Sequence, residues 1–222
     1  MQNLSLQNNV EMLKKLYNIC KKSNSNFYIV LVKYFYFKVK GKNIISHQNT
    51  IIKGLRNISV KGLLKIGVDY VGFVHNKDIT YLNIKGRLEI LGNFSISRGC
   101  RLDIGKNAVV QIGGGSYINP FTNIIIMHRL SIGKNCAISW NCQFLDEDFH
   151  QIQYEEKKEN NSLGISIGDS VWIGSNVSIF KGTVIPKGCV VASNTVVKNK
   201  FYEENVLIAG NPAKIIKRNV TW

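Results

Sequence analysis

Between Ile167 and Val197 an aliphatic side chain returns at every sixth position: Ile167, Ile173, Ile179, Ile185, Val191 and Val197. Two places before each following aliphatic stands a small or β-branched residue, namely Val171, Val177, Thr183, Cys189 and Thr195. The residue just after the aliphatic is often small, as in Gly168, Gly174 and Ala192. Neither a 3.6-residue helix nor a period-2 strand generates that register. The same register governs the segments starting at Ile112, Ile118, Ile132 and Ile138, and ends at Phe144; Ile66, Ile90 and Ile104 echo it with broken phase. A repeat of this kind marks a stacked array in which no single unit can bury its apolar side alone. Each hexad is expected to form one short strand and a turn, with the aliphatic pointing inward. Three hexads close a triangular coil, and coils stack at the parallel-strand spacing of roughly 4.8 Å. Ile167 is then expected over Ile185, and Ile173 over Val191. The fold class predicted is an all-β solenoid, with an arm over residues 1–45, the repeat array over 46–200 and a tail over 201–222.

The arm reads differently. Val10, Leu13, Leu16, Tyr17 and Cys20 fall at helical spacing, which predicts an amphipathic helix over 3–22, broken at Asn24–Asn26. Phe27–Val39 is the longest apolar stretch, but Lys33 and Lys38 interrupt it, and it falls short of the roughly 20 residues of a bilayer span. Mixed aromatics and lysines suit a membrane-interface segment; a cap over the open end of the solenoid is the other reading, and the two are compatible. Met1–Val10 lacks the basic and apolar regions of a secretory signal, so the expected location is cytoplasmic, with peripheral contact at the inner membrane face through the arm.

Charge sharpens that picture. The chain carries a formal +15, and residues 1–65 hold its most one-sided share: their only acid is Glu11. Such a basic face is open to anionic lipid, phosphorylated substrate or nucleic acid, or is simply a solubilising surface. Nucleic-acid binding has no motif behind it. Of the five cysteines, Cys136, Cys142 and Cys189 occupy the small inward position, which suits core packing better than nucleophilic chemistry. The four histidines include no close pair, so no metal is expected.

The stretch from Ile165 to Lys198, reading ISIGDSVWIGSNVSIFKGTVIPKGCVVASNTVVK, and the later LIAGNPAKIIK resemble the hexapeptide-repeat acyltransferases. Within that family the likeness is to sugar O-acetyltransferases of the maltose and galactoside type and to polysaccharide-modifying members. The resemblance implies a left-handed parallel β-helix, a homotrimer, and acetyl-CoA bound in the groove between subunits. Left-handedness comes from the family alone, since parallel crossovers are otherwise right-handed.

Carried over residue by residue, the resemblance marks two sets of positions. For the donor, Ser175 and Ser193 stack one coil apart, as do Gly174 and Ala192, where small residues allow close approach to the backbone. Beyond the Gly210-Asn211-Pro212-Ala213 turn, Lys214 and Lys217, with Arg218, match cations that meet CoA phosphates. For the reaction, His150 opens a polar, extruded loop spanning about 145–164 and matches the family's general base. Asp148, with Asp146 or Glu147 as alternatives, is the carboxylate expected to orient it, and Asn141 matches an acceptor-positioning residue. His128 either reaches the acceptor pocket or marks a turn. The Thr-His-Pro run usual in the maltose-type proteins is absent: acidic residues precede His150 and no proline follows. That moves the likeness toward glycan-modifying members. The function expected is O-acetylation of a sugar hydroxyl on a surface polysaccharide or its precursor; N-acetylation of a nucleotide-linked amino sugar and a non-enzymatic binding solenoid are the alternatives.

Overall fold

A computed structural model describes residues 2–69, 72–150, 153–154, 157–158 and 164–222. As far as Val197 its main strands fall into three parallel sheets that the chain visits in rotation. Face A starts at Ile44–Ser46, face B at Thr50–Lys53 and face C at Ile58–Val60, and the next round begins on face A at Leu64–Ile66. Among the described residues the faces hold nine, seven and six strands, with a separate two-stranded pair inside the 146–164 insertion. Glu155, Glu156 and Glu159, which mark that insertion as polar, lie outside the described residues.

Register confirms the inward ladders. Ile167 pairs with Ile185 and Ile173 with Val191, and all six aliphatics from Ile167 to Val197 are buried. The small positions Val171, Val177, Thr183, Cys189 and Thr195 are buried beside them. The five cysteines are buried and free, and burial pushes the Cys142 thiol up to about 11 and Cys100 up to about 12. Thiols so hard to ionise pack as small apolar groups.

The eighteen-residue coil holds only at the C-terminal end. Upstream, Asn123 pairs with Gln143 and Arg101 with Asn123, so those coils are two to four residues longer. Two steps are far longer. Leu64 pairs with Phe94 across the insertion 67–79, and Leu130 pairs with Ile165 across the insertion 146–164. The extra residues sit at corners, which lets the strands keep their alignment.

Two helices precede the first strand, α1 (Gln2–Lys22) and α2 (Phe27–Val39). Asn26 caps α2, its side chain accepting from the Ile29 N–H. Phe37 of α2 joins the interior of the first coil, while Leu16, Cys20 and Val30 cover the outer side of Ile45 and Val68. Lys33 turns inward, its Nζ donating to the carbonyls of His47, Gln48 and Thr50 at 2.8–3.1 Å. At the opposite end Leu207–Ala209 extends face A, and Lys214–Lys217 folds back antiparallel along it. Among the described residues no helix is long and apolar enough to cross a membrane.

Candidate active site

Two corners carry the chemistry-bearing residues. At the corner leading from face B to face C, the coil breaks off after Gln143–Leu145 and resumes at Ile165–Ile167. Asp146 begins the break. Its carboxylate is fully buried and accepts three backbone N–H bonds, from Met127 at 2.6 Å, His128 at 2.9 Å and Arg129 at 2.8 Å. Those N–H groups belong to the turn one coil earlier, so Asp146 ties the root of the insertion to the layer below. Glu147 adds a second tie. One of its oxygens lies 2.8 Å from His128 Nε2, and the other accepts from the N–H groups of Asp148 and Phe149. The hydrogen bond from His128 holds the Glu147 carboxyl below the usual range. Asp148 forms an ion pair with Lys181, which sits at the same corner one coil later. Phe149 takes a left-handed backbone (φ 61°), and His150 follows it, exposed. Among the described residues His150 makes no side-chain hydrogen bond with Asp148.

The corner leading from face A to face B is a stack of tight turns. Its turn residues Asn141, Asn176 and Asn194 all take left-handed backbones (φ 59°, 58° and 60°), which asparagine tolerates well. Asn141 Nδ2 donates to Asn176 Oδ1 at 2.7 Å. Ser175 and Ser193 stand beside these turns with their hydroxyls 3.1 Å apart. Gly174 is buried against the next coil: a Cβ there would lie 2.7 Å from Ser193 N and 2.8 Å from Val191 O. The Ser175 and Ser193 amides enter no hydrogen bond among the described residues, leaving donors for a bound carbonyl. Lys214 and Lys217 are exposed on the terminal strand of face A. Arg218 is engaged by both carboxylate oxygens of Glu203, at 2.7 and 3.1 Å.

No protein-family model matches the chain. An uncharacterised 24.8 kDa protein in the cps region of Klebsiella pneumoniae is 40% identical over 216 residues, covering 96% of both chains. WbbJ of Escherichia coli K12, named provisionally as a lipopolysaccharide-biosynthesis O-acetyl transferase, is 29% identical over 62% of this chain and 75% of its own. The polysialic acid O-acetyltransferase of Escherichia coli O1:K1 is 35% identical over 64% of this chain and 44% of its own. The chain belongs to the acetyltransferases. In fold alone it also resembles the solved structure of AntD, a Bacillus cereus N-acyltransferase in complex with dTDP and 3-hydroxybutyryl-CoA. That likeness has 19% identity and a TM-score of 0.56, and covers 83% of this chain and 87% of that one.

For this acetyltransferase the structure brings Gly174, Ser175, Ala192, Ser193 and Asn141 to one corner, and Asp148 and His150 to another. Face B separates the two groups within one chain. Asp146 and Glu147, named in the sequence only as stand-ins for Asp148, clamp the insertion, and His128 is one of the groups they hold. The signal was the coil step: Ile124 pairs with Phe144, twenty residues on, so 126–128 must lie under 146–148.

Proposed function

We propose that this acetyltransferase transfers the acetyl group of acetyl-CoA directly to a sugar hydroxyl of a surface polysaccharide or its precursor. The observation that carries the reading is the exposed imidazole of His150 at the mouth of an insertion whose root is pinned by Asp146 and Glu147. An imidazole can take up and release a proton in the neutral range and suits general-base work on a hydroxyl. His150 takes the acceptor proton as the oxygen attacks the thioester carbonyl. Collapse of the tetrahedral adduct expels the CoA thiolate, which receives that proton, and no acyl-enzyme forms. The pairing of Asp148 with Lys181 leaves orientation of the ring to the backbone around Phe149 in the free protein. The sugar O-acetyltransferases among its relatives support a glycan acceptor.

The donor fits the face A–face B corner. Close-packed Gly174 and Ala192 give a smooth wall, the free Ser175 and Ser193 amides can hold the amide carbonyls of the pantetheine arm, and Lys214 and Lys217 offer ammonium groups to phosphates. Arg218 would have to leave Glu203 to join them. Because face B divides this corner from His150, a complete site needs the second corner from a neighbouring copy, which is the role of the family's trimer with its left-handed coil. Residues 1–45 serve as the cap and 201–222 as the donor-binding tail.

Calorimetric titration of acetyl-CoA into the folded protein tests the reading. Expected is micromolar binding, weakened about tenfold or more in Lys214→Ala/Lys217→Ala, two charge-assisted contacts being removed. Absence of binding to the folded, assembled protein would leave a non-enzymatic solenoid as the better account.

A further inference from the structure

Helix α2 presents two unlike faces. Val30 and Phe37 are buried in the cap, whereas Tyr28, Ile29, Val32, Phe35, Tyr36 and Val39 form a single outward arc. Their spacing of one, four, seven, eight and eleven residues from Tyr28 places them within about a third of the helix circumference. This is not incidental exposure: Tyr28 is 76% exposed, Val32 69% and Val39 85%. Lys33 would put a charge at the edge of this arc, but it is withdrawn to the carbonyls of His47, Gln48 and Thr50. The outward arc is therefore wholly apolar or aromatic. Exposed lysines bracket it, with Lys21 and Lys22 at the end of α1 on one side and Lys38 and Lys40 on the other.

We propose that the exposed face of α2 docks on an anionic lipid surface, the helix lying flat with its tyrosine and phenylalanine rings among the headgroups and its flanking lysines on the lipid charges. The helix is about 20 Å long, and its inner side is fixed to the solenoid, so it can lie in an interface but not cross it. Tyrosines with an apolar ring and a polar tip suit the headgroup region. Charge selects the lipid over a second copy of the chain. The arm around this face is strongly basic, its one acid, Glu11, being already paired with Lys15. Two such faces repel, while an anionic surface attracts them. The surface is remote in sequence from His150 and Lys214, and its existence does not depend on the transferase reading.

Co-sedimentation of the full chain with vesicles tests the proposal, using phosphatidylglycerol–phosphatidylcholine mixtures against pure phosphatidylcholine. Expected is binding to the anionic vesicles that drops at least tenfold in Val32→Glu/Phe35→Glu, and also falls in Lys21→Gln/Lys22→Gln and in high salt. All four positions are exposed, and unchanged melting and acetyl-CoA binding of the variants would show that the fold is intact. Equal binding to both vesicle types, no binding, or a Val32→Glu/Phe35→Glu variant that partitions like the wild type overturns it. So does a fall in assembly mass in that variant without any vesicle binding by the wild type, which would make the face a contact between copies.

Discussion

Replacing Asp146 offers the most direct test of how the insertion is rooted. Its carboxylate accepts Met127 N–H on one oxygen and both His128 and Arg129 N–H on the other. A hydrogen bond to a charged group contributes about 1.5–3 kcal/mol, and a buried donor left unmet costs about 1–3 kcal/mol. Asp146→Asn keeps the shape but only one acceptor oxygen. Its best orientation serves His128 and Arg129 and turns an NH2 group toward the Met127 N–H, for a loss of about 2 kcal/mol. Asp146→Ala removes all three bonds; water reaches the half-buried turn in part, so the loss is about 4 kcal/mol rather than the full sum. At roughly 2–4 °C per kcal/mol for a chain of this size, the melting points should fall by about 4–8 °C and 8–16 °C.

Calorimetric melting at one fixed protein concentration reads these shifts, since assembly would otherwise move them. A transfer assay at low temperature adds the functional half: His150 stands four residues beyond Asp146, so loosening the root should lower kcat more than it raises KM. Both variants melting within about 1 °C of the wild type would refute the claim that these three bonds root the insertion.

His150→Ala should lower kcat by about a hundredfold to ten-thousandfold, the usual contribution of a general base, with little change in acetyl-CoA affinity. His128→Gln, which loses the Glu147 contact but not the base, should cost far less; the reverse ranking in steady-state kinetics would transfer the role to His128. Ile173→Ala, in the ladder between Ile138 and Val191, should cost about 2–5 kcal/mol in urea unfolding, and a loss under about 1 kcal/mol would contradict a close-packed interior. Burial, followed by the charges of Arg98 and Lys33, holds His47 down at about 4. The unfolded chain takes up a proton below about pH 6.5 that the folded chain refuses, so this contribution is intact above 6.5 and lost as pH falls toward 4, by about 3 kcal/mol. His47→Asn should flatten that limb of the stability–pH curve, and an unaltered slope would show that other groups cause it.

Most of the fold could be read where the coils are shortest. From Ile165 to Val197 every turn is tight, strands are two or three residues long, and the inward aliphatics recur at six. Upstream the strands lengthen, and Leu82 with Ile84, Leu88 with Ile90 and Leu102 with Ile104 point inward as period-2 pairs. That alternation, added to longer corners, breaks the six-residue phase although the same three faces continue. The withdrawal of Lys33 was not legible either. In sequence it interrupts an apolar run; only the corner carbonyls of residues 47–50 give its charge somewhere to go.

The acidic run before His150 shows why a site cannot be assigned from residue types alone. Asp146, Glu147 and Asp148 all qualify in sequence as partners for the imidazole. The coil step instead turns Asp146 to backbone N–H groups, Glu147 to His128 and Asp148 to Lys181. Three anions engaged in this way make the root of the insertion stiff while leaving the next side chains outside. A general base gains from that division. An imidazole bound to a carboxylate in the free protein has one nitrogen committed, whereas a ring carried on a rigid root keeps both nitrogens available until the acceptor arrives. On this account the acidic residues act on His150 through position, and substitutions among them should change where the ring sits.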